Sequence, residues 1–84
     1  MNFEKSLSHS EAKYKYLGLP KKDRGQFPEK DQIFEMKFKG KSFNMKVNNK
    51  DSIMISHLYD VHQFQEGELI KIIKKKDTYL LSVE

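Results

Sequence analysis

The sequence predicts one mainly β domain with seven strands and two short helices, arranged as an open or closed pseudobarrel. Two observations carry this prediction. Apolar and polar residues alternate along residues 32–47 and again along residues 69–83, and such alternation is typical of strands with one buried face. The pattern also recurs at a shift of 36 residues, which indicates a duplicated strand–helix–hairpin unit.

The predicted elements before the first hairpin are short. Residues 3–7 are expected to form a strand, and residues 8–15 a polar and basic loop. Residues 16–19 form a second strand that ends at Pro20. Since the missing N–H of proline costs nothing in the first turn of a helix, a short helix is predicted over residues 21–25.

The remaining elements repeat this order. Residues 32–47 form a hairpin, and residues 52–55 form a short strand. We expect Ser56 to be the N-cap of a helix that continues to His62. A second hairpin over residues 69–83 completes the chain.

The two units coincide in their apolar positions. Residues 16–47 and 52–83 have the same length, and the shift of 36 residues places Leu17 on Ile53, Phe34 on Ile70 and Met45 on Leu81. Closing the interlocked units into a barrel would remove exposed sheet edges, so we expect a closed barrel. Because one chain contains both units, it is expected to be a monomer.

Length and composition bound the class of protein. The 84 residues are expected to form a single domain spanning residues 1–84. The absence of cysteine excludes disulfides and thiolate metal sites and fits a reducing cytoplasm, where we expect the protein to be. The polar N-terminus is not typical of a signal peptide, and no apolar run approaches the ~18–20 residues that span a bilayer. No membrane partner is therefore expected.

Charge is distributed unevenly along the chain. Residues 1–50 contain 12 Lys or Arg and 6 Asp or Glu, whereas residues 51–84 contain 4 and 6. This asymmetry indicates one basic face, which is the electrostatic pattern of a polyanion binder. A lysine-rich composition inherited from an AT-rich genome would give a similar excess.

Several short motifs follow one another in a particular order. Residues 3–28 contain Leu-Ser, Ser-Glu, a Leu-Gly-Leu-Pro-Lys strand end and Phe-Pro; residues 38–47 contain a Gly-Lys hairpin; residues 63–72 contain a Glu-Gly-Glu turn before a strand. Together they resemble the B-three DNA-binding domain, also called the DNA-binding pseudobarrel. The chain lacks the tryptophans of the plant versions. In this it is more similar to the bacterial branch, the DNA-recognition domains of certain type II restriction endonucleases.

The resemblance implies sequence-specific binding of double-stranded DNA by two segments in the major groove. We call them the N-arm, residues 8–15, and the C-arm, residues 48–52. The candidate contacts are Ser8, Ser10, Lys13, Tyr14 and Lys15 in the N-arm, Asn48, Asn49, Lys50 and Ser52 in the C-arm, and Lys21, Lys22 and Arg24 near the first predicted helix. Asparagine amides match adenine, and lysines reach guanine or phosphate.

Some of these residues also have purely structural explanations. The run from Asn48 to Asp51 suits a turn, because Asn and Asp tolerate left-handed backbone. The lysines around Gly40 and the run Lys74–Lys76 are better explained as solvated hairpin ends. Tyr16 is expected in the core.

No catalytic signature is present, and we expect a domain that is not an enzyme and needs no metal or cofactor. His57 and Asp60 share a helical face, but His62 lies off that face, and the HExxH spacing is absent. No nucleophile elbow, P-loop or dinucleotide fingerprint occurs. In the family that the chain resembles, nuclease activity belongs to a separate domain.

Two other functions remain open. Small barrels often bind single-stranded nucleic acid through exposed aromatic residues, but the aromatic residues here fall mostly on predicted core positions. The chain could instead be a protein-interaction barrel that partners a separate nuclease or a regulatory protein. The uneven charge argues against this last function.

Overall fold

The computed structural model describes residues 2–84 and contains seven strands, one α-helix and two 3₁₀-helices. In chain order the elements are β1 (Asn2–Ser6), α1 (His9–Tyr14), β2 (Tyr16–Gly18), the first 3₁₀-helix (Lys21–Gln26), β3 (Phe34–Phe38), β4 (Lys41–Met45), β5 (Ser52–Met54), the second 3₁₀-helix (Ser56–Asp60), β6 (Leu69–Lys75) and β7 (Thr78–Val83). Strand, 3₁₀-helix and hairpin occur twice in this order, which confirms the duplicated unit. Within residues 2–84 no helix is long and apolar enough to cross a membrane.

The strands form two sheets. The larger sheet has the order β1-β6-β7-β3-β4 and is antiparallel except where β3 runs parallel to β7. The smaller sheet is the antiparallel pair β2-β5. Outside these ladders, the part of the chain that the structure describes has a single isolated bridge, between Val47 and Ile53. The architecture is therefore an open pseudobarrel, and the expected closed barrel was wrong.

Apolar residues from both units fill the space between the sheets. The aromatic part of this core surrounds Phe27, whose ring lies 5.4 Å from Phe3 and 5.7 Å from Tyr79, centroid to centroid. Phe34 packs on Tyr79 at 4.8 Å. The Phe-Pro step after the first 3₁₀-helix thus places a large side chain in contact with both hairpins. Such aromatic contacts add to the stability that burial of the rings provides.

The N-arm is mostly helical, so the predicted loop at residues 8–15 was wrong. Ser8 is the N-cap of α1: its hydroxyl accepts the N–H of Glu11 at 3.2 Å, and the Glu11 carboxylate accepts the N–H of Ser8 at 2.9 Å. This reciprocal pair is a capping box, and the sequence contains its Ser-x-x-Glu signature at residues 8–11. Lys15 ends the helix in left-handed conformation, with φ of 60°.

The other two helices differ in kind from those predicted. Residues 21–26 and 56–60 are 3₁₀-helices, as is common for short connecting turns. The second ends at Asp60 instead of His62, and its N-cap is Ile55, so Ser56 does not cap it. Leu58, which is fully buried, is the residue of this helix that anchors it to the core.

Candidate nucleic-acid interface

The two-stranded sheet β2-β5 forms a short ribbon between the arms. Leu17 lies opposite Ile53 in the ladder, and both side chains are buried in the core. Since neighbouring residues of a strand point to opposite faces, Tyr16 and Met54, which are also paired with each other, lie on the outer face. The expected core position of Tyr16 was therefore wrong, because its side chain is half-buried on the face opposite to that of Leu17. The ribbon therefore has one apolar face in the core and one face toward solvent.

The arms are attached at opposite ends of this ribbon. At one end the backbone N–H of Ile55 donates to the carbonyl of Lys15, the last N-arm residue, at 2.9 Å. At the other end the N–H of Leu19 donates to the carbonyl of Asp51 in the C-arm, also at 2.9 Å. The length of the ribbon thus sets the separation of the arms.

A cleft of about 540 Å³ lies over the outer face of the ribbon and between the arms. Its lining consists of Tyr14, Tyr16, Asn48, Asn49, Lys50, Ser52 and Met54. Five of these residues, one from the N-arm and four from the C-arm, are predicted contacts. Although they are far apart in sequence, the fold brings them together around one cleft.

Met54 was missed by sequence reasoning. The sequence predicts a short strand over residues 52–55, and Met54 was given no role in it. Both neighbours are buried, whereas Met54 points outward and is 52% exposed. The same alternation that places Ile53 and Ile55 inside could have identified Met54 as a surface residue.

A buried carboxylate attaches the N-arm to the ribbon. Glu11 is 2% exposed, and its carboxylate accepts the N–H of Gly18 at 2.7 Å and contacts the Lys5 ammonium at 2.7 Å. Lys5 also donates to the carbonyl of Gly18 at 2.8 Å. Both the backbone N–H and the backbone carbonyl of Gly18 are thereby satisfied by side chains from α1 and β1. A side chain at Gly18 would crowd this pair, because a Cβ there would lie 3.3 Å from Lys5 Nζ.

The charge state of Glu11 follows from these contacts. Burial alone would raise the pKa of this carboxyl. The hydrogen bonds from Lys5, Ser8 and Gly18, together with the positive charge of Lys5, outweigh burial and hold the pKa below its ordinary value of 4.5. Glu11 is therefore ionised at neutral pH, and its attachment of the arm is electrostatic.

The C-arm is a tight loop built on Asn48. The side-chain oxygen of Asn48 accepts the N–H groups of Lys50 at 2.9 Å and Ser52 at 3.0 Å. Asp51 has left-handed backbone, with φ of 54°, and its carboxylate accepts Arg24 Nε at 3.0 Å. These hydrogen bonds to the Asn48 side chain form an Asx turn, which agrees with the turn that the sequence predicts for residues 48–51. The turn leaves Asn49 and Lys50 exposed at the tip.

Three solved structures share this arrangement of elements. A hypothetical protein of Arabidopsis thaliana aligns with a TM-score of 0.72 and 15% identity, over 100% of this chain and 89% of that one. The N-terminal domain of Helicobacter pylori LlaJI.R1 aligns with a TM-score of 0.74 and 9% identity, over 99% of this chain and 86% of that domain. The structure of an Arabidopsis FUS3–DNA complex aligns with a TM-score of 0.69 and 18% identity, over 98% and 94%.

The chain has the B-three-type pseudobarrel fold. The fold that the sequence motifs implied is therefore confirmed. No protein-family model matches the sequence, and no curated protein matches it either.

Within this B-three-type fold, the predicted contact residues divide into two groups. Some are engaged in holding the arms: Ser8 caps α1, Ser52 is buried at 9% exposure, and Arg24 also donates to the backbone carbonyl of Pro28 at 2.9 Å. Asn48 belongs to the same group, because its side-chain oxygen accepts two backbone N–H groups of the C-arm. The others are exposed: Ser10, Lys13, Tyr14, Lys15, Lys21, Lys22, Asn49 and Lys50. Their contact with DNA stays a prediction.

Two lysines of the N-arm lie against aromatic rings. Lys13 Nζ is 5.3 Å from the centroid of Tyr14, and Lys15 Nζ is 5.0 Å from that of Tyr59. The Tyr59 hydroxyl in turn donates to the carbonyl of Ala12 at 3.0 Å, which links α1 to the second 3₁₀-helix. Of the two rings, Tyr14 lines the cleft, so its contact with Lys13 holds one positive charge beside the cleft.

The histidines have contacts of another kind. His62 lies 3.1 Å from the Glu68 carboxylate and packs edge-on against Phe64. Across residues 2–84, no group of three His, Cys, Asp or Glu side chains is arranged to hold a metal ion. His62 is thus a partner of the turn at residues 66–68.

The attachment of the N-arm by Glu11 predicts a specific dependence of stability on pH. The pKa of Glu11 is lower in the folded than in the unfolded state. Its contribution to the free energy of unfolding is therefore fully present above pH 4.5 and is lost as the pH falls through the pKa of the folded state. We expect Glu11→Gln to lower the free energy of unfolding by about 1–3 kcal/mol at neutral pH. Urea unfolding of both proteins across acidic pH should show that this difference shrinks as the pH falls.

The matched control is Glu29→Gln, an exposed carboxylate that should leave stability unchanged within about 0.5 kcal/mol. Glu35 also has a lowered pKa, because Ser42 and Thr78 donate to it, but it is present in all three proteins and cancels in the comparison. A difference between wild type and Glu11→Gln that stays constant with pH would contradict the electrostatic attachment.

The two adjacent asparagines of the C-arm should behave differently. Asn48→Ala removes the acceptor for the N–H groups of Lys50 and Ser52, so the free energy of unfolding should fall by about 1–3 kcal/mol. Asn49→Ala changes an exposed side chain and should alter it by less than about 0.5 kcal/mol. Urea denaturation measures both, and equal losses would show that Asn48 does not build the loop.

Proposed function

We propose that this chain binds double-stranded DNA in a sequence-specific manner, through its N-arm and C-arm in the major groove, and that it does so without catalysis. The observation that carries the proposal is the cleft between the arms. It gathers exposed amide, aromatic and lysine side chains from two distant segments onto one face. These are the side-chain types that recognise base edges and phosphates.

The spacing of the arms supports the major groove as their site. The ribbon between them is three residues long in each strand, which corresponds to roughly 10 Å at the rise of a β-strand. The major groove of B-DNA is about 12 Å wide. Two arms at this separation fit within one groove, one toward each of its walls.

Charge around the cleft supports a polyanionic partner. Lys13 and Lys15 of the N-arm and Lys50 of the C-arm are exposed, and Lys21 and Lys22 lie exposed on the first 3₁₀-helix. Lysines around a recognition surface supply phosphate contacts, which set affinity and register and carry no sequence information. Arg24, Ser8 and Ser52 have a supporting role in this proposal, since their polar groups hold the arms.

Sequence recognition is assigned to the exposed tip of the C-arm. Asn49 lines the cleft and is exposed, and an asparagine amide forms two hydrogen bonds with the major-groove edge of adenine. The side-chain oxygen of Asn48 is already occupied by backbone N–H groups. Asn48 therefore shapes the loop and Asn49 contacts the base. The FUS3 structure, which shares the fold, was solved with DNA, and this supports the proposal.

One observation favours a second candidate, the binding of single-stranded nucleic acid. Tyr14 is 61% exposed at the cleft beside Lys13, so it is available for stacking on a base. Single-strand binders stack successive bases on several aromatic side chains, however, and Tyr16, the other aromatic residue of the cleft, is only half exposed. Duplex DNA therefore explains the surface better.

The proposal is tested by selection from a random-sequence duplex pool at two salt concentrations, with single-stranded competitor present. We expect an enriched motif and an affinity that falls steeply with salt, with a log–log slope of about −4.5 if five phosphates are contacted. Absence of enrichment together with negligible affinity at low salt would overturn the proposal. Efficient competition by single strands would favour the second candidate.

Substitutions in the arms should separate base contacts from phosphate contacts. Asn49→Ala should weaken binding to the enriched duplex by about 1–3 kcal/mol and relax the preference at one position. Lys13→Ala should weaken binding to all duplexes equally and reduce the salt slope by about one. Fluorescence anisotropy titrations measure both quantities.

Lys75→Ala is the control, because Lys75 is exposed on the β6–β7 hairpin and lies outside the cleft. It should preserve both the motif and the affinity for it. If Asn49→Ala binds as tightly and as selectively as wild type, the C-arm does not read bases.

A further inference from the structure

The cleft contains an apolar component that phosphate and amide chemistry do not explain. Among residues 2–84 the large hydrophobic side chains that stand exposed are Tyr14, Ile33, Met54 and Ile73. Two of them, Tyr14 and Met54, line the cleft between the arms. An exposed apolar surface on a recognition face favours binding of a partner, because water is released when the partner covers it.

Met54 is shared between two neighbouring clefts. It projects from the outer face of the ribbon opposite Tyr16, and it also lines a neighbouring cleft of about 220 Å³ that contains Lys46 and His57. Its chain neighbours Ile53 and Ile55 are buried at 0% and 2% exposure, so the core fixes the backbone that presents it. The side chain itself is unbranched and adapts to the shape of what it contacts.

We propose that Met54 determines specificity by covering the C5-methyl group of a thymine, while Asn49 of the same cleft contacts the adenine paired with that thymine. This inference rests on the proposed function and adds to it the chemical identity of one recognised base pair. In the major groove thymine presents one acceptor oxygen and the C5-methyl group, and the methyl group is read by apolar contact.

The positive charge around the cleft favours duplex DNA over an apolar protein surface as the partner that covers Met54. Lys13, Lys15 and Lys50 stand exposed around the same cleft or on the arm that borders it. A protein partner would have to leave these ammonium groups unpaired or supply a matching acidic rim. Duplex DNA supplies a methyl group and phosphates together, so one partner accounts for the apolar floor and the basic margin.

5-Methylcytosine carries the same methyl group in the same place. It pairs with guanine, whose major-groove edge offers two acceptors where adenine offers one acceptor and one donor. An asparagine amide, with one donor group and one acceptor oxygen, matches adenine. The recognised base pair is therefore A·T. A G·5-methylcytosine pair should provide the methyl contact with Met54 but not the amide contact with Asn49.

The test uses the full chain and the duplex enriched by selection, with deoxyuridine replacing each thymine in turn. Deoxyuridine lacks the methyl group and keeps its pairing with adenine. At one position we expect affinity for the wild type to fall about fourfold, the factor that corresponds to burial of one methyl group. Met54→Ala should bind the original duplex about as weakly and should no longer distinguish deoxyuridine from thymidine at that position.

Ile73→Ala is the matched control, since Ile73 is 47% exposed on β6 and lies outside the cleft. It should retain the preference for thymine. Replacing the sensitive A·T pair by G·C should weaken wild-type binding, and methylation of that cytosine should recover only the methyl-dependent part. Full recovery would overturn the role of adenine and Asn49.

Two further results would overturn the inference about Met54. One is an enriched duplex at which no thymine shows a methyl effect in the wild type, a measurement that does not depend on any variant folding. The other is full discrimination against deoxyuridine by Met54→Ala. In both cases duplex binding itself remains intact, whereas failure to enrich any duplex would overturn the proposed function along with this inference.

Discussion

The pairing of β2 with β5 is the constraint on which the candidate interface depends. The ribbon has only three residue pairs, and its register is held by burial of Leu17 and Ile53 in the core. A register shift of one residue would turn these side chains to solvent and bring Met54 inward. Such a shift is unfavourable because it would remove the buried apolar surface of Leu17 and Ile53. Because each arm begins where the ribbon ends, the core register also sets the distance between the arms.

The two arms are held in place by different side-chain contacts. Glu11 completes the capping box of α1 and also satisfies the free edge of β2 at Gly18, so one carboxylate holds the arm to the ribbon. In the C-arm the amide oxygen of Asn48 organises the turn, and Arg24 holds Asp51. Arms fixed before binding lose less conformational entropy when they meet a partner.

Much of the architecture could be predicted from sequence, because a buried face imposes a period of two on every strand longer than three residues. Closure could not be predicted, since it depends on whether the free edge of β2 meets a strand or the side chains of Lys5 and Glu11. The helix of the N-arm was missed although its capping box is local. Asn48 and Asn49 are the same residue type in adjacent positions. Only the folded loop shows that Asn48 accepts the hydrogen bonds that shape the C-arm, whereas Asn49 is exposed.

The most direct test of the central claim, that both arms form one DNA-binding surface, is an NMR titration of the labelled chain with the enriched duplex. We expect amide shift changes at residues 8–16 and 48–54, and both sets should appear at the same DNA concentrations. The outer face of β6 and β7 should remain unchanged. Changes confined to one arm, or concentrated on that outer face, would contradict the claim.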